Sequence, residues 1–124
     1  MRNLGKIELS EPFGSRCWAV ACRYFAVEEL VVRSAAAFPP GAGRVECLTV
    51  VRGAGRVEIA AGWLAYRSGQ TWLIPAGCAP FRLMPESSSH LIRYYVPDLD
   101  RDFRQPLKSH GASPEQISAV VFDV

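Results

Sequence analysis

The stretch that decides the fold runs Gly69-Gln70-Thr71-Trp72-Leu73-Ile74-Pro75-Ala76-Gly77-Cys78-Ala79-Pro80. A glycine, five residues, Pro-x-Gly, two residues and a second proline follow one another. The glycine turns the chain where φ must be positive, while the Ile-Pro-Ala-Gly segment fixes a strand end and aims the next strand. Upstream, Glu46 is followed by six residues and then by a further turn glycine, Gly53.

These spacings resemble the two motifs of the cupin superfamily: Gly, five residues, His-x-His, three or four residues, Glu, six residues, Gly; and Gly, five residues, Pro-x-Gly, two residues, His, three residues, Asn. The resemblance implies an all-β fold, a single cupin or jelly-roll β-barrel. The histidines that hold a cupin metal are missing. Phe38 to Gly43, where His-x-His is expected, contains none, and Pro80 stands at the second histidine position. Glu46 alone cannot hold a transition metal in an open site, so we predict no metal and no cofactor.

The spacing of turn residues along the whole chain favours the same fold. Turn residues recur at short intervals, and the stretches between them are rich in β-branched and aromatic residues, as is typical of a sandwich or barrel. We predict eight strands: Trp18 to Phe25, Val27 to Ser34, Val45 to Arg52, Gly55 to Ala60, Trp63 to Arg67, Thr71 to Ile74, Phe81 to Met84 and Leu91 to Val96.

After Pro97 the pattern becomes helical. Apolar residues at i, i+4 and i+8 predict a helix within Asp98 to Ser109 that Pro106 bends or breaks. Ser113-Pro114-Glu115-Gln116 is a helix start with a capping box, and this last helix is expected to run to about Phe122. We therefore divide the chain into a barrel, 1–97, and a short C-terminal helical tail, 98–124, that extends the same domain.

The composition of the chain limits the classes of partner that we expect. The 124 residues carry 14 basic and 12 acidic side chains, a net charge of +2 without a basic run, which gives no electrostatic case for nucleic acid. No apolar run approaches the ~20 residues of a membrane helix and no secretory signal is recognisable, so we expect a cytoplasmic protein without a membrane partner. The spacing of Cys17, Cys22, Cys47 and Cys78 suits reduced, packed thiols better than a disulfide framework or zinc.

A closer resemblance covers most of the chain between Cys22 and Pro97. Four stretches, Cys22 to Leu30, Cys47 to Gly55, Tyr66 to Gly77 and Ile92 to Pro97, look like the C-terminal cupin domain of type I phosphomannose (mannose-6-phosphate) isomerases. In that family this domain is a metal-free accessory to a catalytic cupin, which supplies the zinc ligands. The catalytic arginine lies ahead of the accessory domain. The resemblance thus implies kinship with a sugar-phosphate isomerase and assigns no catalytic residue here.

Strand alternation yields a candidate pocket. If Glu46 points inward as its motif position does, so does Arg44, and if Pro80 points inward, so does Arg82. Arg82 would then face Glu46, either as a charge pair that replaces the metal or as a bidentate donor to an anionic or hydroxylated ligand; a different strand register is the third reading. His90, at a strand entrance, is either solvated or a ligand contact.

Two functions compete. The first is a non-catalytic cupin module that acts by partner binding, homodimerisation or binding a small sugar or sugar phosphate. The second is a subunit or fragment of a sugar-phosphate isomerase, assembled with a separate catalytic domain. The aromatic residues Trp63, Tyr66 and Trp72 fit either a sugar-stacking platform or the core.

Overall fold

A computed structural model describes residues 7–38, 44–77 and 79–122. Within these ranges the chain forms ten antiparallel strands: β1 (Ile7–Glu11), β2 (Gly14–Cys22), β3 (Phe25–Val32), β4 (Ala36–Phe38), β5 (Glu46–Arg52), β6 (Ala54–Ile59), β7 (Gly62–Arg67), β8 (Thr71–Ile74), β9 (Phe81–Pro85) and β10 (Ser89–Tyr95). One sheet has the order β1-β2-β3-β10-β5-β8 and the other the order β4-β9-β6-β7. The jelly-roll prediction is confirmed. The two sheets form an open sandwich and do not close into a barrel.

All eight predicted strands are present: β8 has the predicted bounds, and the other seven differ from the prediction at one or both ends. The two further strands, β1 and β4, are not predicted by the sequence analysis. Strand β2 begins before the predicted Trp18 because Gly14 to Cys17 pairs with β1. It ends at Cys22 because Arg23 and Tyr24 form the turn into β3. Strand β4 has only three residues, too few for a visible alternation.

The inner faces of the two sheets enclose one apolar cluster, the inter-sheet core. Its buried residues alternate along the strands as period-2 side-chain geometry requires: Phe13, Leu30, Val32, Ala36, Phe38, Leu48, Val50, Val57, Tyr66, Phe81, Leu83 and Leu91. The hydroxyl groups of Tyr66 and Ser89 lie 2.7 Å apart inside it and connect the two sheets. Among the described residues of this core, a cavity of about 10 Å³ remains, lined by apolar side chains.

A second apolar cluster, the tail core, lies between the other end of the six-stranded sheet and the helical tail. Its buried members are Trp18, Ala21, Ala26, Tyr95, Phe103, Leu107, Ile117, Val120 and Val121. Backbone hydrogen bonds from Ala21 N–H to Val120 (2.9 Å) and from Phe122 N–H to Ala21 (2.8 Å) fasten the end of the tail to β2.

The tail consists of a π-helix (Leu99–Arg104) that continues into α1 (Gln105–Ser109), followed by α2 (Pro114–Ser118). Pro106 lies in the first turn of α1, where its missing N–H is tolerated. The predicted capping box of α2 is confirmed, with both reciprocal hydrogen bonds between Ser113 and Gln116. Helix α2 is shorter than predicted because Val121 pairs with Ala21. No helix among the described residues is long and apolar enough to cross a membrane.

Candidate functional site

Glu46, the motif carboxylate, lies at the start of β5 and is 7% exposed. Its partner is Arg93 on the neighbouring strand β10. The Arg93 guanidinium donates from Nε to Oε1 and from Nη2 to Oε2, both at 2.8 Å. Two parallel charge-assisted hydrogen bonds of this kind fix both the position and the orientation of the carboxylate.

Arg44 approaches the same carboxylate from the segment before β5. Its Nε donates to Oε2 of Glu46 at 3.0 Å, and its Nη1 donates to the carboxylate of Asp102 in the π-helix. The Arg44 guanidinium also lies 4.0 Å from the ring centroid of Tyr95. One side chain therefore joins the sheet to the tail through two carboxylates and an aromatic face.

Glu28 on β3 is a second buried carboxylate, only 2% exposed. The Tyr95 hydroxyl donates a hydrogen bond to its Oε2. Its Oε1 lies 3.5 Å from Arg16 Nε and 3.5 Å from Arg93 Nη1, and neither approach meets hydrogen-bond geometry. Arg93 thus bridges the two buried glutamates.

These side chains form a polar layer across the inner face of the six-stranded sheet, which we call the charge belt: Arg16, Glu28, Arg44, Glu46, Arg93 and Asp102. The belt separates the two apolar clusters. Along β3, Glu28 lies between Ala26 of the tail core and Leu30 of the inter-sheet core. Along β10, Arg93 lies between Tyr95 and Leu91 in the same way.

The protonation states in the belt are fixed by its geometry. Burial by itself raises the pKa of Glu46, but hydrogen bonds and positive charge from Arg93 and Arg44 outweigh it, and the pKa falls below its ordinary 4.5. Burial by itself lowers the pKa of Arg93, and the two glutamates reverse that effect and raise it. Burial and the negative charge of Glu28 raise the pKa of Tyr95. At neutral pH Glu46 is ionised and Tyr95 is neutral, so neither is poised for proton transfer.

The donor set does not suit the metal of a catalytic cupin. Two guanidinium groups occupy the oxygens of Glu46, and a cation there would meet their positive charge at hydrogen-bond distance. Over residues 7–38, 44–77 and 79–122, no three His, Cys, Asp or Glu side chains are placed to hold a metal ion. Residues 39–43, which cover most of the expected His-x-His position, lie outside the described residues.

Arg82 does not face Glu46, and that prediction is wrong. Pro80 is exposed and precedes β9, whose inward side chains are Phe81 and Leu83. Arg82 therefore lies on the outer face of the four-stranded sheet and donates to Glu58 Oε1 at 2.9 Å. The alternation of Phe81 and Leu83 predicts the facing direction of the β9 side chains correctly, whereas the motif position of Pro80 predicts the opposite direction.

His90 is also apart from Glu46. The inward residues of β10 are Leu91, Arg93 and Tyr95, so His90 lies on the outer face of the six-stranded sheet. Of the four predicted pocket residues, the structure brings together only Arg44 and Glu46. Glu28 and Arg93 are not identified by the sequence analysis. Each is a charged residue at a position where the alternation of its strand predicts an inward, apolar side chain, and that pattern could have indicated them.

The aromatic residues do not form a platform. Tyr66 belongs to the inter-sheet core and Trp72 packs against it. Trp63 lies on the outer face of the four-stranded sheet, 58% exposed, with the Arg56 guanidinium 5.4 Å from its ring centroid. Among the described cysteines, Cys17, Cys22 and Cys47 form no disulfide. Cys78 lies outside the described residues.

An open groove of about 710 Å³ runs beside Arg82 at one end of the sandwich. Phe38 and Phe81, stacked with ring centroids 5.0 Å apart, form part of its apolar wall, and the Arg82–Glu58 ion pair forms its polar rim.

The outer face of the six-stranded sheet carries a broad apolar surface, which we call the outer patch: Phe25, Val27, Val45, Cys47, Leu73, Ile92, Tyr94 and Val96. Strand register places Val27, Tyr94, Cys47 and Leu73 in one row across four neighbouring strands. Leu73 is 66% exposed.

Comparison with known proteins identifies the fold. No family model matches the chain, and no curated protein matches it. Among solved structures, it resembles the mannose 6-phosphate isomerase from Bacillus subtilis (TM-score 0.63, 18% identity), covering 72% of this chain and 27% of that one. The chain thus spans about a quarter of that isomerase.

Two smaller proteins are similar over more of their length. An RmlC-like cupin from Shewanella frigidimarina has a TM-score of 0.64 at 12% identity, covering 77% of this chain and 88% of that one. Ectoine synthase from P. lautus has a TM-score of 0.60 at 11% identity, covering 73% and 68%. At these identities the likeness concerns the fold, and the chain has the cupin fold.

Proposed function

We propose that this chain is a non-catalytic cupin module that works through protein association, and that the outer patch is the surface with which two copies form a homodimer. The observation that carries the proposal is the exposed apolar row across the six-stranded sheet. A contiguous apolar surface of this kind marks an interaction site, because exposing it to water is unfavourable.

The interior of the sandwich supports the same conclusion. In the described part of the space between the sheets, the cavity lined by Leu48, Tyr66 and Leu83 measures only about 10 Å³. The motif carboxylate Glu46 is held by Arg93 and Arg44, so binding a substrate or a metal there would first require breaking buried ion pairs. Function is therefore expected at the surface.

The chemistry of the outer patch suits the centre of a protein interface. Interface centres are depleted in charged residues and enriched in aromatic and large apolar ones. The patch combines Tyr94 and Phe25 with aliphatic side chains, and none of its eight members is charged. Two such sheets can pack face to face about a twofold axis, in the way that sheets pack within a sandwich.

The test is the oligomeric state of the full chain by light scattering after size-exclusion chromatography. We expect a dimer that Leu73→Lys and Tyr94→Lys convert to a monomer, because each places an ammonium group in an apolar interface. Leu64→Lys is the matched control, since Leu64 is 51% exposed on β7, away from the patch. A wild-type monomer at about 1 mM, which corresponds to a binding free energy weaker than about −4 kcal/mol, would contradict the proposal.

A second candidate is the binding of a small sugar or sugar phosphate in the groove beside Arg82. The groove volume of about 710 Å³ favours it, because small-molecule sites usually enclose about 300–1,000 Å³. Titration with mannose 6-phosphate should then raise the melting temperature, and Arg82→Ala should abolish the rise. A role in an isomerase would require isomerase activity. We would assay this activity for the chain alone and for the chain mixed with a separate catalytic isomerase domain.

A further inference from the structure

Strand β7 forms one edge of the four-stranded sheet. It pairs with β6 from Ala54↔Arg67 to Ile59↔Gly62 without interruption. Among the described residues, no strand pairs with its other side. Half of its backbone N–H and C=O groups therefore face outward, as on any edge strand.

Two other sheet edges carry features that discourage pairing. Strand β4 has only three residues, and β1 bears the charged residues Glu8 and Glu11. Short length and charge are recognised means of protecting an edge. The fourth edge, β8, has four residues and contributes Leu73 to the outer patch.

Strand β7 has none of these protections. Its sequence, Gly-Trp-Leu-Ala-Tyr-Arg, contains no proline, no bulge and a single charge at the end. Large apolar side chains are exposed on both of its faces, Trp63 at 58% and Leu64 at 51%. An edge of this kind favours an added strand, since the backbone supplies hydrogen bonds and the side chains supply apolar contact.

The charges beside β7 indicate what the added strand should carry. On the outer face, Glu58 already pairs with Arg82 at 2.9 Å and lies 4.0 Å from Arg56. Arg67 shares that face with Trp63, and no carboxylate in the described part of the chain lies within ion-pair distance of it. Glu58 is thus shared by Arg82 and Arg56, and Arg67 is the charged side chain of β7 itself, so a facing strand gains from an acidic side chain beside it.

The opposite side of β7 calls for apolar side chains. Leu64 and Tyr66 point toward the interior of the sandwich, and Leu64 remains half exposed at its margin. An added strand would place its inward side chains over Leu64. Because side chains alternate along a strand, apolar inward and acidic outward positions must also alternate.

The geometry points to β7 as an acceptor for an extended peptide segment of a partner protein, in which acidic and apolar residues alternate. The site is separate from the outer patch, because it lies on the other sheet and uses a strand edge. Dimerisation and peptide binding are thus independent properties of the module.

The probe is an acetylated seven-residue peptide of alternating Val and Glu, titrated into the full chain by isothermal calorimetry. We expect binding that weakens about three- to tenfold for the matching Val–Lys peptide. Two further Val–Glu peptides carry N-methyl groups on every second amide, so that each has the N–H groups of one of its two edges blocked. One of the two should lose binding, because the backbone hydrogen bonds to β7 need the N–H donors of that edge.

Variants locate the site. Leu64→Lys should weaken Val–Glu binding, and Arg67→Glu should reverse the preference between the Val–Glu and Val–Lys peptides. Leu73→Lys, in the outer patch, should leave peptide binding unchanged. The inference is overturned if the Val–Glu peptide does not bind at about 1 mM, or if Leu64→Lys and Arg67→Glu bind it as the wild type does. The same Arg67→Glu variant should remain a dimer, so failure of one proposal is distinguishable from failure of the other.

Discussion

The glycines of the two motifs serve different physical needs. Gly53 has φ +104°, and a Cβ there would lie 2.5 Å from Ser89 Oγ and 2.7 Å from Ser89 Cα. Gly69 has φ +89° and open space around it. Gly77 shows neither a positive φ nor an atom within 4 Å of an added Cβ. Of these three glycines, only Gly53 combines a positive φ with a close neighbouring atom.

Substitution by alanine should rank these positions. We expect Gly53→Ala to cost about 2–5 kcal/mol of unfolding free energy, from backbone strain and overpacking together. Gly69→Ala should cost about 1–2 kcal/mol from strain alone, and Gly77→Ala should stay within about 0.5–1 kcal/mol of wild type. Urea unfolding measures all three, and equal losses at Gly53 and Gly77 would refute the distinction.

Glu46 should make the protein sensitive to acid. Its pKa is held below its ordinary 4.5 by the arginines. A depressed pKa adds stability above the unfolded value, and this stability is lost as pH falls through the folded value. Urea unfolding between pH 7 and pH 3 should show this loss below about pH 4.5.

Glu46→Gln should cost about 3 kcal/mol at pH 7, because it removes one member of a buried ion pair. It should also flatten the decline of stability at low pH. Glu8→Gln, on the exposed side of β1, serves as the control with an unchanged profile. An acid profile of Glu46→Gln identical to that of wild type would contradict the assigned role.

At the level of elements, the tail is joined to the sheet by the Arg44–Asp102 pair. A double-mutant cycle of Arg44→Met and Asp102→Asn should give a coupling of about 1–3 kcal/mol in urea unfolding, since the pair is largely buried. The exposed pair Arg104–Asp100 in the same tail is the matched control and should couple by less than about 0.5 kcal/mol. Similar coupling in both pairs would show that the belt does not fasten the tail.

The strands were predictable where alternation is strong and poorly predictable elsewhere. In strand β6, the alternation of charged and apolar residues predicts Arg56 and Glu58 on one face and Val57 and Ile59 on the other. Val57 is buried as expected, whereas Ile59 at the strand end is exposed. The predicted facing direction of β9 is wrong because it rests on the motif position of Pro80, whereas the buried residues are Phe81 and Leu83. The spacing of glycines and prolines predicts well where a turn lies. Which face of a strand points inward depends instead on which side chains gain more free energy from being buried away from water.

Across the whole molecule, the fold followed from local patterns, but the site depended on distant partners. The shared side of Arg44 and Glu46 follows from their two-residue spacing where the chain enters β5. Their links to Arg93 and Asp102 join residues 47 and 58 positions apart in sequence. Such pairs arise when sheets and tail pack together, and no local pattern in a single sequence specifies them.

The two apolar clusters separated by the charge belt give the molecule built-in optical reporters. Trp18 is buried in the tail core, Trp72 packs against the inter-sheet core, and Trp63 stands in solvent on β7. Variants that retain one tryptophan each would emit from three different environments. Their fluorescence would reveal whether the sandwich and its tail melt as one cooperative unit or in two stages, and in which order the polar layer between them is exposed to water.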